Sequence, residues 1–385
     1  MEHLIYQNLK KQEISGIRKF TSMLVDYPNA INLSIGQPDF PTPDHVKESA
    51  KSAIDQNFTS YTPNAGLLEL RKAIAQFNEE KYGLKYNPEN EVVVTHGASG
   101  AIMAVLRTIL SEGCEVIIPA PVYPGYVPII EMFGGVPVYV DTTSTDFVLT
   151  AELIEKYITE QTRAIFLCSP ANPVGTIIEE SQLKEIATLL KDKEIFIVSD
   201  EIYSELIFDK KHHSIASFEG MREKTIVVNG VSKSHSMTGW RIGYTLAPAY
   251  ISKEITKVIA YFLSCESSIS QYAALEALSV GKDDPIEMKN EYKKRRDLVY
   301  NRLVSMGIDV VKPEGAFYIF PSIKHTNMKS FDFCVRLLEE QEVATVPGSA
   351  FSSYGEGYIR ISYAQPLDKL EEAMNRLEKF MEQFK

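Results

Sequence analysis

Cysteine is scarce and scattered in this 385-residue chain: Cys114, Cys168, Cys265 and Cys334 stand far apart, with no Cys-x-x-Cys pair. The spacing gives no disulfide framework and no cysteine zinc site, so the thiols read as reduced and mostly structural. Histidines offer no metal-ligand spacing either. Only His212 and His213 adjoin, in a Lys-rich loop where such a pair is ordinarily solvated. No apolar stretch approaches the length of a membrane span, and Met1-Glu2-His3 leads into a polar segment rather than a signal sequence, which makes a cytoplasmic location the default. A basic block is also missing: the formal net charge of −11 is spread along the chain, arguing against nucleic acid or an anionic membrane as partner. No Gly-x-Gly-x-x-Gly follows a first strand, so the nicotinamide-dinucleotide fingerprint is absent. A small-molecule substrate fits this composition. With 44% hydrophobic residues the chain can bury a large core and divide into two domains; no internal repeat or low-complexity tract is apparent.

What the chain does have is a set of polar turns, each placed after an apolar run. The β-branched Thr225-Ile226-Val227-Val228 ends in a Gly/Ser/Thr loop that holds Lys233, with Arg241 eight residues on. A lysine able to tether an aldehyde and an arginine able to clamp a phosphate are two of the parts that pyridoxal phosphate needs; the third is an acid that keeps its ring nitrogen protonated. Taken alone, a lysine in a polar loop is ordinarily a solvated surface residue. Asp200 follows Ile195-Phe196-Ile197-Val198-Ser199, which reads as a buried parallel strand, and an acid at such a strand's C-terminal edge faces the ligand crevice of an open α/β sheet. Asp200 can pair with the ring nitrogen, and Tyr203 can reach the cofactor's phenolic oxygen. A helix N-terminus would equally account for the acids Asp200 and Glu201.

Two further turns complete the set. Asn172, in Ser169 to Thr176 after the strand-like Ala164 to Cys168, can donate its amide to the same oxygen, although Asn-Pro is also a plain turn former. His96-Gly97-Ala98-Ser99-Gly100 links the strand-like Val92 to Thr95 to a helical pattern running through Leu106 and Leu110. A glycine-bearing turn of that kind presents free N–H groups to a phosphate, or merely lets the helix pack on the sheet.

Together these pieces resemble the class I/II aminotransferases, fold-type I pyridoxal-phosphate enzymes, over nearly the whole chain. The matching motifs are Ser34 to Phe40, Tyr61 to Gly66 with Leu70-Arg71, Ser169 to Gly175, Asp200 to Tyr203, Ser232 to Gly243, and Tyr358 to Ser362. The general likeness is to the subgroup that includes aromatic and N-acetyl-diaminopimelate aminotransferases. The resemblance implies that Lys233 is the Schiff-base lysine, Asp200 the partner of the ring nitrogen, and Tyr203 and Asn172 donors to the phenolic oxygen. It makes Tyr123 the ring-stacking aromatic, and Ala98, Ser99 and Arg241 the phosphate ligands. Tyr61 becomes a tyrosine that reaches the phosphate of a neighbouring subunit in a homodimer. Arg360 becomes the fork for the substrate α-carboxylate, with Gly36 lending a backbone N–H. The bonds before Pro121 and Pro173 are expected to be cis. One departure stands out: some members carry serine three residues before the lysine as a phosphate donor, where this chain has Gly230, and Ser232 is the candidate replacement.

The implied reaction is a ping-pong amino transfer from an L-amino acid, or N-acetyl-diaminopimelate, to an oxo acid, with 2-oxoglutarate expected as acceptor. Lys233 serves as tether and proton shuttle. A carbon–sulfur β-lyase shares nearly the same motifs. A ligand-sensing domain of a transcriptional regulator is disfavoured, because no winged helix fits before Gly36-Gln37-Pro38. The donor is expected to be apolar, aromatic or long and amide-bearing. Ile17 and Phe20 would form an apolar lid and Arg18 would lie near a distal carboxylate, or the segment Ile14 to Phe20 only anchors the N-terminus.

The expected fold class is α/β: a large cofactor domain with a mostly parallel central sheet over 45–285, and a smaller α+β domain built from 1–44 and 286–385. Helices are expected over Asp44 to Ile54, with Thr42-Pro43 as cap and first turn, Ser267 to Val280, Asp284 to Met306, Phe331 to Glu340 and Leu367 to Phe384. Short strands are expected at Ile308 to Val311, at Ala316 to Phe320 and around Arg360.

Overall fold

The computed structural model describes residues 1–12, 20 and 22–384. After a short strand β1 (Ile31–Asn32) come helices α1 (Asp44–Asp55) and α2 (Leu68–Tyr82). Strand β2 (Val92–His96) then leads into α3 (Gly97–Ile109). Strands β3 (Glu115–Ala120), β4 (Val136–Asp141), β5 (Thr162–Cys168), β6 (Phe196–Asp200), β7 (Thr225–Gly230) and β8 (Ile242–Leu246) follow. They form one seven-stranded sheet in the order β2-β8-β7-β6-β5-β3-β4. Only β8 runs against its neighbours, so the sheet is mostly parallel as the sequence predicts.

The continuous apolar runs follow from burial on both faces. In β5, Ala164 and Phe166 pack with Val105 and Ile255 on one side of the sheet. Ile165 and Leu167 pack with Leu183 and Ile186 on the other. Such strands cannot alternate apolar with polar residues, because neither side meets water.

Besides shorter helical turns, the chain forms α4 (Glu180–Leu190), α5 (Ala249–Phe262), α6 (Ser268–Ser279), α7 (Pro285–Ser305), α8 (Ser330–Gln341) and α9 (Leu367–Met381), with strands β9 (Tyr318–Ile319), β10 (Val343–Ala344), β11 (Val346–Pro347) and β12 (Ile359–Ser362). A separate apolar core joins Phe20, Ile31 and Leu33 to Val299, Phe317, Phe333, Ile361 and Phe380, and reaches Tyr203 and Leu206 just beyond β6. Strand β1 pairs in parallel with β10, which ties the chain's early segment to its last hundred residues. None of the helices among the described residues is long and apolar enough to cross a membrane.

Some local expectations are corrected. Helix α1 begins at Asp44, but Thr42 does not cap it: its hydroxyl donates to the Ser236 carbonyl at 2.7 Å and accepts from Trp240 Nε1 at 3.0 Å. Ile308 to Val311 is not a strand; among the described residues its one backbone bond to a distant segment is Ser322 N–H to the Asp309 carbonyl, at 2.8 Å. Ala316 to Phe320 is shorter than expected, because Ala316 turns to a φ of +59° and only Tyr318–Ile319 pair. The pairing strands β1, β10 and β11 are two residues each, too short to carry a period.

Candidate active site

The parallel strands point their C-terminal ends at one cleft, the place where open α/β sheets hold ligands. A cavity of about 640 Å³ opens there. It collects Gly36, Ala98, Ser99, Tyr123, Asn172, Asp200, Tyr203, Ser232, Lys233, Arg241 and Arg360. Eleven of the twelve expected site residues therefore line one space, although their sequence positions run from 36 to 360. Tyr61 is the exception: it lies on the surface, 89% exposed, in a loop held by Asn64 Nδ2 on the Ser264 carbonyl at 2.5 Å.

Asp200 is the last residue of β6, and no helix follows it, so the helix-start reading of this acid falls away. Its carboxylate is buried and accepts the Tyr126 hydroxyl at 2.5 Å and the Ile202 N–H at 3.2 Å. Burial pushes its pKa up, while those two donors and the Lys233 charge pull it back. A buried acid in that balance is stabilised as an anion by any cationic N–H brought against it. Tyr126 is itself buried and stacked on Phe166 with ring centroids 4.4 Å apart, which fixes the hydroxyl's direction.

Lys233 Nζ donates to the Gly36 carbonyl at 2.6 Å and forms no ion pair among the described residues. Desolvation first, then the guanidinium groups of Arg360 and Arg241, lower its pKa to about 8. That is the condition for an amine to act as nucleophile and base near neutral pH.

Arg360, on β12, is 2% exposed and also lacks a carboxylate partner among the described residues. It donates to Asn172 Oδ1 at 3.1 Å and to the Ser34 carbonyl at 2.8 Å, lies over the Tyr318 ring at 4.4 Å, and leaves Nε without a partner among the described residues. An unpaired buried guanidinium with a free donor is a site for an incoming carboxylate. Asn172 spends its oxygen on Arg360, so its NH₂ remains to donate. Tyr203, whose phenol burial holds far above the ordinary range, keeps its proton and shares a 3.0 Å hydrogen bond with Tyr318.

At the other end of the cavity, α3 opens with N–H groups that have no acceptor within the helix. Gly97 turns there at a φ of +64°, its N–H on the Arg241 carbonyl at 3.0 Å. A Cβ on Gly97 would come within 2.6 Å of Arg241 Nη2, so glycine is what lets the guanidinium pack against the helix start. Arg241 donates to the Thr238 carbonyl at 2.8 Å and forms no ion pair among the described residues. A Cβ at Gly230 would sit 2.8 Å from Gly243 Cα, inside β8 rather than in the cavity, while Ser232 lines the cavity.

The peptide bonds before Pro121 and Pro173 are cis, as expected, and so is the bond before Pro170. Tyr126 and Tyr318 line the site and were missed in the sequence, and Ser34, singled out there only as part of a motif, lines it too. Tyr126 had a faint signal, standing three residues after Tyr123. Two motif residues turn out to hold the scaffold: Asp39 accepts both Arg295 Nη1 bonds at 2.8 and 2.9 Å, and Arg71 donates to the carbonyls of Gly66, Pro88 and Glu89. Of the suggested lid, Ile17 and Arg18 lie outside the described residues, and Phe20 is fully buried in the second core.

Comparison with known proteins adds an independent line. The model of the family described as aminotransferase class I and II matches residues 28–377. A Bacillus subtilis (strain 168) protein named as a probable N-acetyl-LL-diaminopimelate aminotransferase is 57% identical over 99% of this chain and 96% of its own length. An aspartate aminotransferase of Pyrococcus abyssi is 44% identical, covering 96% of both chains. A crystal structure of an aromatic aminotransferase from Pyrococcus horikoshii OT3 superimposes with a TM-score of 0.90 at 44% identity, over 95% of this chain and 99% of that one.

Proposed function

The chain belongs to the class I and II aminotransferase family, and from that premise we propose that it is a pyridoxal-phosphate-dependent aminotransferase working in the cavity described above. The observation that carries the reading is one amine without an acid partner, Lys233, set with the buried acid Asp200 and the unpaired buried guanidinium of Arg360.

The residues fit the cofactor. The N–H groups of Ala98 and Ser99, the Arg241 guanidinium and Ser232 would hold its phosphate; Asp200 would hold its ring nitrogen, Tyr203 and Asn172 its phenolic oxygen, and Tyr123 a ring face. When bound, pyridoxal phosphate supplies an aldehyde that joins amines and a pyridinium that absorbs the electron pair left when a substrate Cα–H bond breaks. Arg360 orients the α-carboxylate. Lys233, its pKa lowered to about 8 by burial and the neighbouring guanidinium groups, takes the Cα proton and later gives it up. Asp200, steadied by Tyr126, keeps the ring nitrogen's proton in place by charge.

For the donor we favour an apolar, aromatic or long amide-bearing side chain over aspartate, with 2-oxoglutarate as acceptor. The cations lining the cavity are Lys233, Arg241 and Arg360, each already given a task, so no further lining cation among the described residues balances a short donor's second carboxylate. The 57% identity to the Bacillus subtilis protein supports the same choice. We also read 45–285 as the cofactor domain, and 1–44 with 286–385 as the smaller one. A homodimer would give the exposed Tyr61 a partner's phosphate to reach.

A screen of amino donors against 2-oxoglutarate tests this reading. Phenylalanine, tyrosine or N-acetyl-diaminopimelate should exceed aspartate in kcat/KM. Aspartate ranking first would overturn the donor choice, and continuous release of pyruvate from cystathionine without amino transfer would make the protein a β-lyase.

A further inference from the structure

Glu266 feels the charge of Arg241 but lies outside the set of residues that line the cavity. It is 4% exposed, and its Oε1 has no hydrogen-bond partner among the described residues. Its Oε2 meets His96 Nδ1 at 3.1 Å, and His96 is the residue from which α3 springs. The charged and titratable groups that face the carboxyl are His96 and Arg241; Gln271, which donates to the Glu266 backbone carbonyl at 3.0 Å, is neutral. An acid at this depth ordinarily has donors on both oxygens, because each unmet oxygen costs its desolvation. Burial raises its pKa, with His96 and then Arg241 drawing it partly back.

We propose that Glu266 is a further residue of the anion-binding end of the cavity, one that takes up a proton from solvent when an oxyanion settles against Arg241 and the start of α3, and loses it when the anion leaves. The balance is simple: a carboxylate becomes a carboxylic acid, one proton comes from water, and Arg241 then faces a single anion instead of two. Anion binding and Glu266 protonation favour each other, so raising the pH weakens both. The inference rests on the proposed role of Arg241 as the phosphate clamp.

The test is titration of the full-length, cofactor-stripped protein with inorganic sulfate, followed by calorimetry. Sulfate is chosen because its charge stays constant over the range, whereas a phosphate monoester changes its own. Between about pH 5 and about pH 7, below the range in which Lys233 gives up its charge, native protein should lose about tenfold in sulfate affinity, the scale of one nearby unit charge at a protein-like dielectric. Glu266→Gln should hold sulfate with nearly constant affinity over that range, and Glu266→Asp should keep the native slope. Because His96 meets Oε2 of Glu266, His96→Gln is the control and should retain the slope. A Gln variant with the native slope, an Asp variant without it, or a slope abolished by His96→Gln alone would overturn the proposal. The cofactor reading is tested separately by visible absorption of native protein mixed with pyridoxal phosphate. No uptake of that compound, with the sulfate slope intact, would sink the cofactor reading and leave this inference standing.

Discussion

Arg360 Nη1 donates to Asn172 Oδ1 at 3.1 Å, joining residues 188 positions apart in the chain. The bond sets both groups at once: it turns the Asn172 NH₂ away from Arg360, and it holds the guanidinium with Nε still unpartnered. Arg360→Lys removes the planar fork while keeping the charge. We expect kcat/KM to fall about a hundredfold or more, mostly through KM, since a lysine cannot meet a carboxylate with two parallel N–H bonds. An unchanged KM for the amino donor would show that Arg360 only braces Asn172.

Asp200 and Tyr126 should separate in degree. Asp200→Asn removes the charge that holds the ring nitrogen's proton, and kcat should fall about 10²-fold or more with cofactor still bound. Tyr126→Phe removes one donor to a carboxylate that keeps another from Ile202, and about a tenfold loss is expected. Equal losses in the two variants would mean that Tyr126 holds the fold of the site rather than the state of Asp200.

Gly97→Ala places a Cβ within 2.6 Å of Arg241 Nη2 at a backbone φ of +64°. The variant should lose about 1–3 kcal/mol of stability from strain, and should bind pyridoxal phosphate more weakly as Arg241 is pushed off the helix start. Melting curves and a cofactor titration check this. Native-like affinity together with a lowered Tm would limit Gly97 to a turn-forming role.

Lys233 predicts a pH effect on stability in the cofactor-free protein. Its pKa falls to about 8 on folding, so between that value and the lysine norm of about 10.4 the unfolded chain binds more protons. Stability from this group therefore rises as pH increases through that window. Lys233→Met should flatten the rise, measured by denaturant midpoints at several pH values. An identical slope in the variant would show that the amine is not desolvated.

The sequence disclosed the central sheet because strands buried on both faces must be continuous apolar runs, and β5, β6 and β7 are. It disclosed Asn172, Asp200 and Lys233 because each stands just past such a run, whereas Arg360, inside β12, was legible only through the family resemblance. It could not disclose Tyr126 or Glu266. Their roles depend on which distant side chain each meets, Asp200 for the first and His96 for the second, and neither separation has a period. The strand expected at Ile308 to Val311 shows the converse limit: the apolar residues are present, but no neighbouring strand among the described residues supplies a ladder.

The most direct test of the central claim is transfer of an isotopically labelled amino nitrogen from a donor such as phenylalanine to 2-oxoglutarate, followed by mass spectrometry with native protein and with Lys233→Ala. The account predicts label in glutamate with the native protein and none above background with the variant, which should still fold because Lys233 makes no ion pair among the described residues. Label released as ammonia, or carried to glutamate equally well by Lys233→Ala, would contradict it.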